Sequence, residues 1–400
     1  MVVRKLSLLG ATGSIGTQAL DIVADHRDEI EVVALASGGG NLQLALDQAA
    51  AFRPQYLAFA KADEGEVQAG LKARGLSGVE VGIGDEAMQD AARAAGSDGI
   101  VLNGITGGVG LKPTLAALES GARLALANKE SLVVGAPLVR QACKRPGQVV
   151  PVDSEHSAIA QCLASGRHQR GLTASEVTGE SEVSRLILTA SGGPFRGKKR
   201  RDLEHVTAAE ALKHPTWAMG PVVTINSSTL MNKALELIEA WVLFDIEPSR
   251  LEAVVHPQSI VHSMVEFQDG ATIAQASPPD MHLPIALALS WPKRWAQVEP
   301  PCRWDSATSW DFEPVDHETF PALKLARQAM EASHTHPAVL NSANEVCVDA
   351  FLAGELKYLA IVDTVAQVLE EHEGTREPSL EEILTAQRWA KARAKELIAR

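Results

Sequence analysis

Short apolar runs that stop abruptly at glycine or at a polar group recur along this chain, and stretches of helical spacing lie between them. Residues 4–9 form the first run and lead into G10-A-T-G13-S-I-G16, after which Thr17 to Ala24 has helical character. A second run, Glu31 to Ala36, ends in Ser37-Gly38-Gly39-Gly40-Asn41, and Gly99–Leu115 and Ala122–Ser131 each carry an apolar strand into glycine-rich or polar residues. The run before V150-P-V-D-S-E-H-S157 stops at two carboxylates. Strands of this kind alternating with helices predict a doubly wound α/β sheet, whose strand ends face a ligand crevice.

Farther along, Arg185 to Thr189 is a β-like run ending in A-S-G-G-P-F, and Val254–Val265 (V-V-H-P-Q-S-I-V-H-S-M-V) reads as a strand pair or one long edge strand with His256 and His262 on one face. In M231-N-K-A-L-E-L-I-E-A-W-V-L-F244 the period is helical: Asn232, Glu236 and Glu239 share one stripe, with Lys233 flanking it. Met231, Leu235, Ile238 and Val242 lie opposite, and Leu237, Trp241, Leu243 and Phe244 close most of the circumference. A helix apolar nearly all round belongs in a core, so its charged groups need partners there.

With 400 residues, 46% hydrophobic and 22% charged, the chain has material for two or three packed domains. Cys143, Cys162, Cys302 and Cys347 form no C-x-x-C pair, which fits reduced thiols in a cytoplasmic protein. No stretch approaches the roughly 20 apolar residues of a membrane span. A net charge of −13 argues against nonspecific nucleic-acid binding. The one basic run, G-K-K-R-R at 197–201, reads as a solvated loop.

Several constellations carry chemistry. The G-x-x-G-x-x-G turn around Gly10 and Gly13, between strand and helix, lets a backbone approach a pyrophosphate at a helix N-terminus; an ordinary tight turn is the alternative. No acid follows the second strand where an NAD-specific fold reads the ribose, and a loop of amides around Gly38 with Asn41 tolerates a 2′-phosphate, so NADPH is favoured over NADH. Asp153 and Glu155, two residues apart, fall on one face if the chain is extended; equally, Asp and Ser there can begin the next helix. With Glu236 they make an all-oxygen set suited to Mg²⁺ or Mn²⁺. Ser191 on its glycine turn, with Ser227, Asn232 and Lys233 around the start of the buried helix, offers the donors a substrate phosphate requires. Asn128, Lys129 and Glu130 sit at a strand end facing the crevice. His214, Trp217 and Met219, between prolines and before Gly220, form either a loop anchored in the core or a mobile lid. His256 and His262 read as structural histidines that could support the site.

Together these segments closely resemble the 1-deoxy-D-xylulose 5-phosphate reductoisomerase family over essentially the full length. The most specific blocks are G-A-T-G-S-I-G, A-N-K-E-S-L-V, P-V-D-S-E-H-S-A-I, S-G-G-P-F-R, H-P-T-W-A-M-G, M-N-K-A-L-E-L-I-E-A and H-P-Q-S-I-V-H-S-M-V. The resemblance implies that Asp153, Glu155 and Glu236 hold the metal, that Ser154, Lys129 and His214 approach the hydroxyl and carbonyl end of the substrate, and that Ser191, Ser227, Asn232 and Lys233 hold its phosphate. Thr12, Gly13, Ser14, Ile15, Asn128, Glu130 and Gly220 would contact NADPH, and Trp217 and Met219 would close over the site, Met219 beside the cofactor. It further implies a homodimer with an N-terminal Rossmann-like parallel sheet (1–152), a second α/β catalytic domain (153–290) that carries the dimer contacts, a linker (291–316) and a C-terminal helical bundle (317–400). The implied reaction is retro-aldol cleavage and aldol rejoining of a phosphorylated sugar, then hydride transfer, within isoprenoid synthesis. Which group takes the hydroxyl proton stays open among Lys129, a carboxylate and water.

Two positions depart from the family pattern: the glycine loop 38–40 lacks the basic residue common near the 2′-phosphate, and Asn226 stands where Asp is frequent. Other readings are a metal-independent NADP oxidoreductase and a nucleotide-sensing binding protein. A short-chain dehydrogenase is disfavoured because neither Tyr56 nor Tyr358 has Lys four residues on, and a semialdehyde dehydrogenase because Cys143 and Cys162 lack an activating setting.

Overall fold

A computed structural model describes residues 3–217 and 219–400. Its twelve strands, in chain order, are β1 (Arg4–Leu9), β2 (Ile30–Ser37), β3 (Tyr56–Phe59), β4 (Glu80–Ile83), β5 (Ile100–Asn103), β6 (Arg123–Leu126), β7 (Val149–Pro151), β8 (Val183–Ala190), β9 (Leu251–Val255), β10 (Val261–Phe267), β11 (Thr272–Ala276) and β12 (Glu313–Pro314). The chain divides into two compact units: Met1–Ser131 with Val139–Ser157 and Asp280–Pro300, and Leu132–Leu138 with Ala158–Pro279 and Pro301–Arg400.

In the first unit, seven parallel strands run in the order β4-β3-β2-β1-β5-β6-β7. The order reverses at β1, so the loops after β1 and β5 open side by side, which is where such sheets bind nucleotides. Continuous rather than alternating burial explains why the strands read as plain apolar runs: Leu6, Leu8 and Leu9 of β1 and Val33 to Ala36 of β2 are at most 1% exposed. The helix His282–Ser290 belongs to this unit, and the segment after it is tied down by Trp295 Nε1 donating to Glu29 (2.9 Å) and Arg123 donating to the Trp291 carbonyl (2.5 Å).

The second unit holds a mixed sheet ordered β11-β10-β8-β9-β12, with only β8 and β9 parallel. β9 and β10, expected as a pair or one long strand, are separated by β8 in this order. The interruption is His256-Pro257-Gln258-Ser259, where Ser259 takes a left-handed φ of 53° and turns the chain. The helix Met231–Phe244 is buried as its sequence predicts and packs on the helix Ala322–Ala332. Three more helices, His336–Leu352, Tyr358–Glu370 and Leu380–Ile398, complete the C-terminal bundle. A parallel sheet, a second sheet with helices and a terminal bundle are the architecture expected. Among the described residues no helix is long and apolar enough to cross a membrane.

Candidate active site

The glycine turn after β1 is built for close approach. Gly10 has φ 82°, and a Cβ there would sit 2.6 Å from the Gly104 carbonyl oxygen; one at Gly16 would sit 2.3 Å from that of Gly10. The helix Ser14–Asp25 starts from Gly13 with no side-chain cap, so its first amides remain available to an anion. Thr12, Ser14 and Ile15 line this turn. Gly38 and Asn41 lie beyond β2, where the Asn41 carboxamide oxygen caps the next helix by accepting from Leu44 N (3.1 Å).

Asn128 and Glu130, expected at a strand end facing the crevice, are bonded to the neighbouring loop. Asn128 is 1% exposed, and its amide donates to the carbonyls of Ile105 (2.7 Å) and Gly107 (3.0 Å) and to Glu130 (2.8 Å). Its oxygen accepts from Ser131 N (3.0 Å) and Ser131 Oγ, while Glu130 accepts from Gly107 N (3.1 Å). Both side chains brace the loop after β5 against the helix Lys129–Ala142. Asn103 and Thr114, which sequence reading passed over, brace its other side: Asn103 donates to Thr114 Oγ1 (2.8 Å) and accepts from Ile105 N (3.1 Å). A buried Asn at a strand end was the available signal.

Asp153 and Glu155 come together through a helix start rather than an extended strand. β7 ends at Pro151, the helix Ser154–Leu163 follows at once, and Asp153 Oδ1 accepts from Glu155 N (3.3 Å), as an N-terminal cap does. Ser154 Oγ donates to Glu155 (2.5 Å). Lys129 Nζ lies 2.7 Å from Asp153 Oδ2, and the His156 imidazole 3.5 Å from Oδ1. Burial alone would raise the Asp153 pKa, but the Lys129 charge and the His156 contacts outweigh it and hold this carboxyl well below the usual range. An ionised carboxylate and a second beside it at the start of one helix, with the ammonium of Lys129 from the start of another in contact, therefore come together within the first unit.

The second unit carries the remaining site residues in two groups. Ser191, at the head of the β8 turn, accepts from Gly193 N (3.2 Å); a Cβ at Gly193, whose φ is 65°, would meet the Ser227 carbonyl oxygen at 2.9 Å. His214 Nε2 lies 3.0 Å from Ser191 Oγ and 3.1 Å from Ser227 Oγ. Its Nδ1 accepts from Thr216 N (3.1 Å) and Trp217 N (2.8 Å), which fixes the proton on Nε2 as long as the ring is neutral. Burial lowers its pKa and keeps it neutral near pH 7. His214 thus stands with the two serines proposed for the phosphate while also folding the turn that carries Trp217 and, past it, Met219 and Gly220. The Trp217 indole lies edge-on to His262 at 6.1 Å.

In the helix Met231–Phe244, Asn232 donates to one Glu236 oxygen (2.5 Å) and Lys233 pairs with the other. Lys233, Glu236 and Glu239 are 4%, 1% and 0% exposed. Leu230, in a left-handed conformation at φ 59°, makes the sharp turn that sets this helix directly after Pro221–Ser228. Two supports escaped sequence reading: Tyr358 donates to the Ser228 carbonyl (2.7 Å), and Asn344 to Asn226 Oδ1 (2.9 Å). An Asp at 226 could accept that same bond, so the departure leaves it intact. His256 is fully engaged within the sheet, accepting from Ile260 and Val261 N (3.1 Å each) and lying 2.9 Å from the Asp311 carbonyl. His262 contacts the Ser277 carbonyl (3.2 Å) and hydroxyl (3.1 Å). The basic run pairs with acids of its own unit, Lys199 with Asp316 (2.8 Å) and Arg200 with Asp363 (2.5 Å).

Comparison with known proteins shows the family to which the chain belongs. Family models described as 1-deoxy-D-xylulose 5-phosphate reductoisomerase match residues 6–136, with its C-terminal domain at 149–244, and one described as DXP reductoisomerase C-terminal domain matches 276–393. Proteins of that name from Beutenbergia cavernae and Paenarthrobacter aurescens are 58% and 53% identical, covering 100% and 99% of this chain and 98% of each relative. The Zymomonas mobilis enzyme solved in complex with NADPH superposes with a TM-score of 0.88 at 36% identity over 99% of both chains. A DOX-P reductoisomerase solved with NADPH, fosmidomycin and magnesium gives 0.87 at 34% over 99% of this chain and 98% of that one. The chain belongs to the 1-deoxy-D-xylulose 5-phosphate reductoisomerase family.

Proposed function

From that membership we propose that the protein converts 1-deoxy-D-xylulose 5-phosphate to 2-C-methyl-D-erythritol 4-phosphate, using NADPH and a divalent cation, Mg²⁺ or Mn²⁺, in isoprenoid synthesis by the methylerythritol phosphate route. The donor set carries this reading: two carboxylates at one helix start with an ammonium against them, and a third carboxylate buried between a carboxamide and an ammonium. Asp153, Glu155 and Glu236 are the proposed metal ligands. A cation bound there supplies electrostatic stabilisation of a developing oxyanion, and NADPH supplies the hydride.

The chain's own groups have separable tasks. Lys129 keeps Asp153 ionised and, with Ser154, faces the hydroxyl and carbonyl end of the substrate. Ser191, Ser227, Asn232 and Lys233 bind the phosphate, and His214 adds an Nε2–H donor aimed at the same place. Trp217 and Met219 cover the site and exclude water, Met219 beside the cofactor. The uncapped helix after Gly13, with Gly10, Thr12, Ser14 and Ile15, takes the pyrophosphate; Asn128 and Glu130 hold the neighbouring loop in shape, and Gly38, Asn41 and Gly220 complete the nucleotide contacts.

A cytoplasmic homodimer is part of the same reading. Cys143, Cys162 and Cys347 are free thiols whose pKa values burial pushes up to about 11, 11 and 12, which suits inert, reduced cysteines. The edge strand β11, with Ile273 36% exposed, offers a surface for subunit pairing. The deciding experiment is stoichiometric NADPH oxidation with 1-deoxy-D-xylulose 5-phosphate: turnover should require added Mg²⁺ or Mn²⁺, and full turnover in chelator would defeat the metal assignment. Light scattering of the eluted protein tests the dimer.

A further inference from the structure

The loop after β2 lacks a basic residue where an NADP enzyme needs one: from Ser37 to Phe52 there is neither Lys nor Arg. We propose that Lys61, in the turn after the neighbouring strand β3, supplies that charge and is this chain's specificity-determining residue for the adenosine 2′-phosphate. The inference rests on the NADPH reading above and deepens it. In folds of this class, the residue ending β2 and the loop after it face the ribose 2′ position. Here that residue is Ser37, 3% exposed, with a hydroxyl that has no hydrogen-bond partner among the described residues.

Geometry places Lys61 against this loop. β2 and β3 are parallel neighbours with Ser37 opposite Phe59, and Ala60 N donates to the Ser37 carbonyl (2.9 Å), so the two strands end together. Gly39 then folds onto Lys61 with φ 95°; a Cβ at Gly39 would lie 1.7 Å from the Lys61 carbonyl oxygen and 3.8 Å from its Cα. No side chain fits at 39, whereas Gly38 and Gly40 stand in open space, where a Cβ would meet nothing within 4 Å. The loop therefore contributes amides and the Asn41 amide group, but no charge of its own.

The nearby charges leave Lys61 available. Arg74 is engaged with Asp47 (2.7 Å) and Gln43 (2.9 Å). Asp63 caps the helix Glu64–Ala73 by accepting from Glu66 N (2.9 Å). Lys61 itself is exposed and, among the described residues, makes no ion pair. Its flexible stem and three donors suit a phosphate dianion as a point charge.

Calorimetric titration with adenosine 2′,5′-bisphosphate and with 5′-AMP tests this independently of turnover. Wild type should prefer the bisphosphate by about tenfold to a hundredfold, the range of a charge-assisted bond. Lys61→Ala should bring the two ligands close to parity without changing 5′-AMP affinity, and Lys61→Arg should retain the preference. Gly40→Arg in the Lys61→Ala background should restore it. The kcat/KM ratio of NADPH to NADH should move in parallel, and the wild-type preference should shrink with salt. A Lys61→Ala protein that keeps the full preference, or loses both ligands equally, overturns the assignment. Wild type binding neither ligand would instead overturn the cofactor reading on which it rests.

Discussion

His214 bonds two different structures through its two ring nitrogens, so two substitutions can separate them. Asn at 214 places a carbonyl oxygen near the position of Nδ1 and can keep accepting from Thr216 N and Trp217 N, now 3.1 and 2.8 Å from that nitrogen. It is too short to reach Ser191 and Ser227, which lie 3.0 and 3.1 Å from Nε2. Gln extends to the serines and abandons the backbone amides. A neutral hydrogen bond contributes about 1 kcal/mol net, so losing the Nε2 donor should weaken phosphate binding by about fivefold to tenfold. Leaving the amides of Thr216 and Trp217 unpaired costs about 1 to 3 kcal/mol for each one that water does not reach. His214→Asn should therefore raise KM for the phosphorylated substrate about fivefold to tenfold and leave the fluorescence of Trp217 unchanged. His214→Gln should spare that KM more but alter the Trp217 emission and its quenching by acrylamide, read against a Trp217→Phe reference. Acid should mimic the Gln variant: the pKa of His214 is lowered by burial, so Nδ1 stays an acceptor through neutrality and is lost only as pH falls below that depressed value. Identical behaviour of the two variants in both readouts would refute the division of labour between the nitrogens.

Glu236→Gln should lose most turnover at limiting Mn²⁺ while NADPH binding, measured by nucleotide fluorescence, stays within twofold of wild type (about 0.4 kcal/mol); wild-type turnover would remove Glu236 from the metal set. Lys233→Ala and Ser191→Ala should each raise KM for the substrate about tenfold or more, with fosmidomycin inhibition weakening in parallel and KM for NADPH unmoved; undiminished inhibition would send the phosphate elsewhere. Tyr358→Phe leaves the buried Ser228 carbonyl without its 2.7 Å donor and should cost about 1 to 2 kcal/mol in urea unfolding, with a rise in substrate KM that an unrelated core change would not produce. His372, whose pKa burial and the His336 ring lower from 6.5 to about 4, is neutral in the folded bundle while the unfolded chain takes up a proton below pH 6.5. Stability should accordingly fall as pH drops from 6.5 toward 4, by up to about 2 kcal/mol after allowing for its partial exposure, and His372→Phe should flatten that slope in urea titrations at pH 7 and pH 5.

Features set by neighbouring residues were legible without coordinates. The glycine turn, the strands β1, β2, β5, β6 and β7 of the first sheet and the buried helix Met231–Phe244 follow from local spacing, because a parallel strand covered on both faces and a helix covered all round leave apolar runs; the short strands β3 and β4, the latter partly exposed, were not read. What sequence did not disclose depends on contacts across long separations. Nothing near Ser228 announces Tyr358, 130 residues away, and nothing near Asn226 announces Asn344, 118 residues away. The return of Asp280–Pro300 to the first unit rests on similar links, Trp295 with Glu29 and Trp291 with Arg123.

The geometry at 153–155, left open between an extended chain and a helix start, shows the same limit from another side. Alternation along an extended chain and capping at a helix start both bring Asp153 and Glu155 to one place, so residue identity could indicate carboxylate chemistry without saying which backbone delivers it. The distinction has a functional consequence. On a strand, the two carboxylates would point outward with no backbone donors committed to them; at the head of the helix Ser154–Leu163, Asp153 accepts from Glu155 N and stands at the positive end of the helix dipole. That environment, with Lys129 at 2.7 Å, favours an ionised Asp153 before any cation arrives. The proposed metal site therefore needs no proton release from Asp153 near neutral pH, and metal affinity should be nearly flat between pH 6 and 8. Competition with a chelating indicator measures it, after correction for the indicator's own protonation. An affinity that climbed by about tenfold per pH unit across that range would mean one proton leaves with each ion bound, and the preionised Asp153 would not be the group that controls binding.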